Sequence, residues 1–455
     1  MAKYEKYAEY KESGFEWADK LPAHWNSVHL KWISTIYAGG TPSKNIESYW
    51  ENGTVPWINS GAVNQTYILE PSTYITKTAY ENSSAKWIPK KALVMALAGQ
   101  GKTKGMVAQL GIDTTCNQSM GAIIPNDLSY ARYLFWWITS NYQNIRNMAG
   151  GDLRDGLNLE HLGDMSCPLP NEDETQKIAN FLDHETSKID SLIAKQEKLI
   201  ELLKEKRQAV ISHAVTKGLN PDVNTKDSGV EWLGQVPEHW ISSRLKYYTN
   251  QIVDGAHFTP TYSESGVPFL RVTDIHNSQI DMDNIKYIPE HEHLDLIQRC
   301  KPEKGDLLLS KNGTIGIPKL VDWDWEFSIF VSLCLIKFKK NLKAEFAEYF
   351  FKSYEIQEQI FGLIKKSTVI NLHLDKIENF WFSIPPLDEQ IQIVEYLDNK
   401  INELNNLISK AESAIQLMQE RRTALISSAV TGKIDVRNWQ NPNHNNNQAN
   451  TELGA

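Results

Sequence analysis

The sequence predicts an α+β protein made of two α/β domains, related by pseudo-twofold symmetry and joined by two long antiparallel coiled-coil helices. Three observations lead to this fold: an internal duplication, a long helical segment at the end of each half, and short β-like runs before each helix. A chain of 455 residues is also too long for a single hydrophobic core, which favours more than one domain.

A segment near the N-terminus recurs in the middle of the chain. Residues 13–32, SGFEWADKLPAHWNSVHLKW, match residues 228–247, SGVEWLGQVPEHWISSRLKY, at ten of twenty positions and at an offset of 215 residues. The same offset relates residues 207–216 to residues 422–431, where seven of ten positions are identical. Matches so far apart in one register indicate that a whole unit was duplicated.

Each copy of this segment, here called the leading segment (13–32 and 228–247), contains a proline followed closely by a His-Trp pair. A binding motif is one interpretation of this pattern. We favour the other, a proline-anchored aromatic turn that docks the chain onto its own domain.

A long helix is predicted at the end of each half. Apolar residues recur every three or four positions from about Glu172 to Lys217, and the second half repeats the pattern. Acidic residues begin both segments, and Gly218 and Gly432 end them. About 45 residues form a rod of roughly 65 Å, and because one apolar stripe needs a partner, we expect the helices to pair. The stripe consists of Ile178, Leu182, Ile189, Leu192, Leu199, Leu203 and Val210, and of Ile393, Leu397, Leu404, Leu407, Ala411, Ala414, Met418 and Leu425.

The duplication and the helices together predict the domain boundaries. In chain order, the predicted segments are a leading segment with the first domain (1–169), the first long helix (170–218), a linker (219–227), a leading segment with the second domain (228–384), the second long helix (385–433) and a disordered tail (434–455). The tail is predicted to be disordered because its end, NPNHNNNQANTELGA, has little apolar content.

The composition is that of a soluble, globular chain, and we expect a cytoplasmic location. It is 41% hydrophobic, without a run of about eighteen apolar residues that would span a bilayer. The N-terminal residues are charged and lack the apolar core of a secretion signal. The net charge of −9 speaks against indiscriminate nucleic-acid binding but leaves local basic patches open.

Metal binding and disulfides are not expected. The four cysteines, Cys116, Cys167, Cys300 and Cys334, are scattered without a C-x-x-C spacing. The run EHEH (290–293) is interpreted as an exposed polar turn rather than as part of a ligand cluster.

The stretch ALAGQGKT (96–103) is similar to a phosphate-binding loop of nucleotide hydrolases. Lys102 and Thr103 fit that template, but Ala96 stands where the first glycine is required. A P-loop NTPase is therefore one alternative for the function of this chain.

The duplication tests that alternative, because it sets GKTKG (101–105) opposite NGTIG (312–316). Lys102 then faces Gly313, and a nucleotide site would not retain its function without the lysine. A loop that is constant in shape and variable in chemistry favours recognition of two different targets. Lysines gather near both loops, which suits a polyanionic partner such as DNA, where lysines contact phosphates and polar side chains contact base edges.

With these features together, the chain resembles the specificity subunit of a type I restriction–modification system. The resemblance covers about residues 10–435. It rests on the leading segments, on the loops AGGTPS (38–43) and DGAHFTP (254–260), and on the helix starts PLPNEDETQKIANFLD and PPLDEQIQIVEYLD. The helix ends RQAVISHAVTKG and RTALISSAVTGK are also similar to the family.

The resemblance implies that each domain is a target-recognition domain that reads one half of an asymmetric, bipartite site in double-stranded DNA. The long helices would set the gap between the two half-sites. The subunit itself would have no catalytic residue, no cofactor and no contact with a membrane. Its partners would be two modification subunits, which methylate adenine with S-adenosylmethionine, and restriction subunits, which use ATP and Mg for translocation and cleavage.

We expect the DNA contacts to come from loops rather than from strands. The candidate contacts are Asn59, Ser60, Gln100, Lys102, Thr103, Lys104 and Arg154 in the first half, and His257, Arg271, Thr273, Lys311, Asn312, Thr314, Lys365 and Ser367 in the second. A coiled-coil scaffold that binds no nucleic acid is a further alternative.

Overall fold

The computed structural model describes residues 4–99, 101–148, 156–276, 279–364 and 371–442. The chain divides into two compact units: Met1–Lys195 with Ala414–Ala455, and Gln196–Ser413. Both breaks fall inside the long helices, so each unit contains the first part of one helix and the last part of the other. This division differs from the predicted boundaries, which treated each helix as a separate segment.

The first unit consists of short strands and helices followed by the start of the first long helix. Its strands are β1 (Tyr10–Phe15), β2 (Ala18–Pro22), β3 (Asn26–His29), β4 (Ser34–Ala38), β5 (Val55–Ile58), β6 (Tyr67–Ile68), β7 (Thr73–Ile75), β8 (Leu93–Ala96), β9 (Val107–Leu110), β10 (Thr115–Cys116), β11 (Met120–Pro125) and β12 (Ser166–Leu169). Its helices are α1 (Leu30–Ile33), α2 (Lys77–Glu81), α3 (Ala131–Ser140), α4 (Tyr142–Asn147), α5 (Leu159–Asp164) and the first part of α6 (Glu172–Lys217).

The second unit follows a similar order of elements, but its described residues contain no strand equivalent to β6. Its strands are β13 (Thr225–Asp227), β14 (Gln235–Pro237), β15 (Ile241–Arg244), β16 (Thr249–Asp254), β17 (Val267–Leu270), β18 (Lys286–Ile288), β19 (Leu307–Ser310), β20 (Pro318–Leu320), β21 (Ser328–Ile329), β22 (Leu333–Phe338) and β23 (Trp381–Ile384). Its helices are α7 (Glu290–Ile297), α8 (Ala344–Phe351), α9 (Tyr354–Ile364), α10 (Leu374–Glu378) and the first part of α11 (Leu387–Val430).

The two units repeat one sheet topology. Among the described residues, the larger sheet has the order β4-β11-β8-β9-β6 in the first unit and β16-β22-β19-β20 in the second. In the smaller sheets, β5 and β17 are equivalent, since each pairs with one parallel and one antiparallel neighbour. The predicted duplication is therefore confirmed in strand order and direction.

The central strands of the larger sheets are apolar at nearly every position because both of their faces are covered. In β8, Leu93 and Met95 belong to one hydrophobic cluster, whereas Val94 and Ala96 belong to another. Alternate side chains of a strand lie on opposite faces of its sheet. This strand is therefore rigidly held on both sides, up to the residue at which the loop ALAGQGKT begins.

The two long helices pack antiparallel within each unit. In the second unit, Val215 near the end of α6 shares a cluster with Ile393 near the start of α11. Farther along, Leu203 of α6 packs with Leu404 of α11. Residue numbers fall along one helix as they rise along the other, which is the antiparallel direction.

The first unit shows the same arrangement with the helix halves exchanged. Leu182 near the start of α6 lies in one cluster with Val430 at the end of α11. Asp190 Oδ1 of α6 lies 2.8 Å from Arg422 Nε of α11. The predicted fold class, two α/β domains joined by two long antiparallel helices, is confirmed.

Three residues that the periodicity assigned to the apolar stripe are exposed large hydrophobic residues in the structure. Leu192 and Leu199 are each 43% exposed, and Leu407 is 42% exposed. An α-helix has 3.6 residues per turn, so an apolar stripe with a strict seven-residue repeat drifts by about 20° per heptad around a straight helix. The stripe therefore predicted the pairing of the helices better than it predicted individual contacts.

The leading segment joins the ends of the two long helices in the first unit. Trp25 is fully buried, and a Cβ added to Gly432, just after α11, would lie 3.2 Å from its ring. His24 Nε2 lies 3.0 Å from a carboxylate oxygen of Glu174, in the first turn of α6. The turn thus contacts the end of one helix and the start of the other.

The second unit contains the same joint. Trp240 is fully buried beside Gly218, just after α6, and its Nε1–H donates to Glu389 in the first turn of α11 at 2.8 Å. His239 binds the other oxygen of the same carboxylate. The leading segment docks on its own domain, as the sequence predicted.

The prediction of a disordered tail is wrong for residues 434–442, which contact the first unit. Val436 is 2% exposed, and the Trp439 ring lies edge-on to Phe181 of α6 with the ring centroids 5.6 Å apart. The polar composition of the whole segment concealed these few apolar residues near its start. Residues 443–455 lie outside the described part of the chain.

The run EHEH is not an exposed turn but the beginning of α7. His293 is only 2% exposed, and its Nδ1 lies 2.9 Å from Ser328 Oγ. Burial lowers the pKa of His293, so the neutral imidazole is favoured inside the domain.

The joint between helix ends gives a stability prediction for Gly432. Gly432 has φ +68°, and a Cβ there would lie 2.4 Å from the Pro22 ring. We expect Gly432→Ala to cost about 1–2 kcal/mol for the left-handed backbone and about 1–3 kcal/mol more for the steric overlap, measured as a fall in the calorimetric unfolding temperature. Gly14→Ala is the control, since Gly14 has φ +77° with open space around it. Equal losses for the two variants would show that the Pro22 contact is unimportant.

Candidate nucleic-acid interface

Each unit presents a hairpin loop between two antiparallel strands of its larger sheet. In the first unit, β8 leads to β9 through residues 97–106, and we call residues 97–104, up to the closing glycine, the first hairpin loop. In the second unit, β19 leads to β20 through residues 311–317, and residues 311–315 form the second hairpin loop. The first loop is longer by three residues.

The two loops are closed by the same backbone hydrogen bond. Gly105 N–H donates to Ala96 O, and Gly316 N–H donates to Ser310 O, each at 2.8 Å. Both glycines have positive φ, +83° and +82°. The alignment of Gly105 with Gly316 from the sequence is therefore confirmed, and the loops share one frame.

The closing glycines are required by helices that lie against them. A Cβ on Gly105 would lie 3.2 Å from Arg146 Cγ of α4, and one on Gly316 would lie 2.7 Å from Ile360 Cδ1 of α9. Glycine permits both the left-handed backbone and this close approach. Neither reason involves a phosphate group.

The topology around residues 96–103 does not match a nucleotide-binding loop. A P-loop leads from a strand into a helix, whose N-terminal N–H groups face the phosphates. Here the segment connects two antiparallel strands, β8 and β9. The P-loop NTPase alternative is therefore not supported.

The candidates in the first hairpin loop differ in exposure. Lys102 is exposed and Thr103 is half-buried, so both side chains reach the surface. Lys104, by contrast, is only 4% exposed, because it immediately precedes the closing glycine where the loop meets the domain. A phosphate contact from Lys104 is not available in this arrangement. Two further candidates, Gln100 and Arg154, lie outside the described residues.

Asn59 and Ser60 lie at a different place in the first unit. They follow β5, and Asn59 Oδ1 accepts the Gly61 N–H at 2.9 Å, which caps a short turn. Asn59 lines a groove with Thr41 and Lys44 of the segment that contains AGGTPS, whereas Lys102 lines a separate cavity. The structure thus brings Asn59 to the AGGTPS loop and not to the first hairpin loop.

In the second unit, Arg271 and Thr273 share one carboxylate. Arg271 Nε and Nη2 donate to Asp274 at 3.0 and 2.9 Å, and Thr273 Oγ1 donates to the same group at 3.1 Å. The hydrogen bonds to Asp274 raise the pKa of Arg271. Arg271 is 29% exposed and is held in a fixed orientation, but the carboxylate offsets part of its charge.

Lys311 is buried in an ion pair and does not reach the surface. Its Nζ lies 2.7 Å from Asp254 Oδ1, and the two side chains are 5% and 9% exposed. Direct phosphate contact from Lys311 is therefore not available, because the carboxylate at the end of β16 holds the ammonium inside. His257, which lies 3.4 Å from the same carboxylate, is 59% exposed and remains accessible.

The rest of the second hairpin loop combines an exposed hydroxyl and a partly buried amide. Thr314 is exposed. Asn312 pairs through its backbone with Asn371, and its Oδ1 is buried without a hydrogen-bond partner. Buried polar atoms without partners are rare, which makes this junction unusual. The remaining candidates, Lys365 and Ser367, lie outside the described residues.

Sequence reasoning missed two residues that hold the first hairpin loop from behind. Arg146 and Tyr142 of α4 donate hydrogen bonds to backbone carbonyls of this loop. No local sequence pattern signals such contacts, because they depend on how α4 packs against the sheet. The loop's glycines were the single available hint that something approaches it closely.

The described residues give no indication of a metal site. Among them, no group of three or more His, Cys, Asp and Glu side chains is arranged to hold a metal ion. Within the same residues, no helix combines the length and the apolarity needed to cross a membrane. All four cysteines are buried and free.

The chain is a duplicated two-domain protein, and each domain carries a hairpin loop that is closed in the same way but differs in length and in side chains. The sequence model described as "Type I restriction modification DNA specificity domain" matches residues 22–202 and 257–416. The chain belongs to this family.

Curated relatives agree over nearly the whole chain. The specificity subunit of the type I restriction enzyme MjaIX from Methanocaldococcus jannaschii is 24% identical, over 96% of this chain and 99% of the relative. The specificity subunit of the EcoKI enzyme from Escherichia coli is 21% identical, over 94% and 92%.

Solved structures support the fold. A chain from a study of complex assembly and conformational transition of the type I R-M system aligns with a TM-score of 0.72 at 17% identity, over 91% of this chain and 99% of that chain. The HsdS subunit from Thermoanaerobacter tengcongensis aligns with a TM-score of 0.56 at 15% identity, over 93% and 100%.

The buried ion pair predicts that Lys311 stabilises the fold rather than contacts DNA. Removing one partner of a buried pair leaves an uncompensated charge, so we expect Lys311→Met to cost about 3 kcal/mol in unfolding free energy. The matched control is Lys304→Met, because Lys304 and Asp324 form an exposed pair, 56% and 80% accessible. We expect less than about 1 kcal/mol there. Denaturant titration measures both, and a Lys311→Met variant as stable as the control would contradict the structural role.

Proposed function

We propose that this chain is the DNA sequence-specificity subunit of a type I restriction–modification complex. Each α/β unit acts as a target-recognition domain and reads one half of an asymmetric, bipartite site in double-stranded DNA. The two half-sites differ because the two domains present different side chains.

One observation carries this proposal: the two hairpin loops share a closing hydrogen bond and a glycine, yet differ in length and chemistry. The first loop has eight residues with an exposed lysine, and the second has five with an exposed threonine. Identical targets would favour identical loops. A constant frame with variable loops suits two different base sequences, since phosphate contacts set position while polar side chains at base edges give specificity.

The family supports a non-catalytic role within a larger assembly. We propose that two modification subunits bind this chain and methylate adenine with S-adenosylmethionine, while restriction subunits supply ATP- and Mg-dependent translocation and cleavage. The chain itself would then hold no cofactor. It would act in the cytoplasm, where its DNA substrate and these partners are present.

The chain length and the packing favour a DNA-recognition subunit over a coiled-coil scaffold that binds no DNA. A scaffold needs the paired helices alone, whereas here each unit adds a larger sheet and a three-stranded sheet, and the larger sheet carries a hairpin loop. The exposed polar residues at these loops contribute nothing to the helix pairing. They are explained by a partner that the loops contact.

The proposed function predicts a split methylation motif. In cells that express the whole system, long-read methylome sequencing is expected to find adenine methylation in two short, different half-sites separated by unspecified bases. Replacing the second domain (228–384) with that of a relative should change one half-site only. If the methylated motif is continuous, or if the replacement changes both half-sites, the proposal that each domain recognises one half-site is wrong.

Lys102 is expected to contribute a phosphate contact. With the modification subunits present, Lys102→Ala should weaken binding to all DNA sequences similarly and reduce the slope of log affinity against log salt by about 0.9. The control is Lys188→Ala, which removes an exposed lysine of α6 that is not part of either hairpin loop. Fluorescence anisotropy at several salt concentrations measures both variants. An unchanged slope in Lys102→Ala would show that its ammonium does not contact the DNA backbone.

A further inference from the structure

The first hairpin loop is held from behind by side chains of α4. Arg146 Nη1 donates to Gly101 O at 2.8 Å and to Lys104 O at 3.3 Å. Tyr142 O–H donates to Lys102 O and in turn accepts from Arg146 Nη1 at 2.8 Å. One guanidinium and one phenol therefore engage three carbonyl groups of the loop, including that of the exposed Lys102.

The loop needs such a support because its own backbone is permissive. Gly99, Gly101 and Gly105 have φ values of +153°, +65° and +83°. Glycine loses more conformational freedom on ordering than other residues, so a loop rich in glycine is costly to hold in one shape. The hydrogen bonds from α4 oppose this cost at the tip of the loop.

Packing does not immobilise the loop on every side. A cavity of ≈ 320 Å³ lies beside it, lined by Lys102, Gly105 and Met106 and, across the gap, by Trp136 and Tyr142. A loop beside a cavity that no protein side chain fills has room to change its backbone conformation. The polar contacts to α4 then decide which conformation it adopts.

The second unit supports its shorter loop in a different way. There Gln357 Nε2, a neutral donor, lies 3.4 Å from Gly316 O, and Ile360 packs against the same glycine. A charged donor makes stronger hydrogen bonds than a neutral one. The first loop is therefore held from behind by a charged donor of α4, whereas the second is held mainly by the Lys311–Asp254 ion pair and the Asn312–Asn371 backbone bridge.

We propose that Arg146 is a positioning residue for DNA recognition by the first domain. It does not contact DNA itself. Its guanidinium orients the loop backbone and so directs Lys102 and Thr103 toward the DNA. It also occupies carbonyl oxygens that would repel phosphate groups if they faced them. This inference rests on the proposed function and identifies the group that shapes one of its two reading loops.

The test uses the complete complex of this chain with its modification subunits. Affinity is measured for the specific duplex and for duplexes with single base changes in each half-site. We expect Arg146→Ala to reduce discrimination about tenfold at one half-site, the value of one charge-assisted hydrogen bond, and to leave the other half-site unchanged. Arg146→Lys retains the charge without the planar fork, so we expect it to restore discrimination in part. Tyr142→Phe removes one hydroxyl and should cause a smaller loss at the same half-site.

The outcomes separate this inference from the proposed function. Loss at one half-site with an unchanged unfolding temperature supports the positioning role. If Lys102→Ala weakens binding while Arg146→Ala and Tyr142→Phe change nothing, the positioning role is wrong and the DNA-facing loop stands. If Lys102→Ala also has no effect, the loop does not face DNA and both ideas fail there. Equal losses at both half-sites with a lower unfolding temperature would assign Arg146 a general structural role instead.

Discussion

The structure depends on the carboxylate at the start of each long helix. Glu174 and Glu389 lie in first turns, where unpaired backbone N–H groups favour negative charge. Each carboxylate also binds the histidine of the leading segment and accepts one further hydrogen bond. The donor is the Tyr7 hydroxyl at 2.7 Å in the first unit and the Trp240 ring N–H at 2.8 Å in the second. Burial, together with the bond to Glu174, raises the pKa of Tyr7. In each unit, one carboxylate therefore connects the start of one long helix to the leading segment. The leading segment in turn contacts the end of the other long helix.

The contacts of this carboxylate are made by different donors in the two units. The donors at the carboxylate were exchanged, since Trp25 Nε1 has no partner in the first unit whereas its equivalent, Trp240, binds Glu389. What both halves retain is a satisfied carboxylate and a buried tryptophan beside a helix-ending glycine. With that frame fixed, the two halves keep one strand order although their strands and loops differ in sequence.

The fold was predictable because its signals are repeated along the chain. The duplication, the helical periodicity and the matching of Gly105 with Gly316 each rest on residues that the second half shows again. The candidate interface was less predictable, because exposure of a loop lysine depends on distant partners. Lys102 is exposed, but Lys311 is drawn inside by Asp254, which lies far away in sequence. The same limit applies to Trp439, whose contact with Phe181 no local pattern indicates.

The burial of lysines changes how an acidic chain would bind DNA. With a net charge of −9 and with Lys104 and Lys311 only 4% exposed each, two of the predicted phosphate contacts are not available. Each phosphate contact adds affinity without regard to sequence, and it strengthens non-specific binding equally. Fewer contacts of this kind shift the balance from overall affinity toward sequence discrimination.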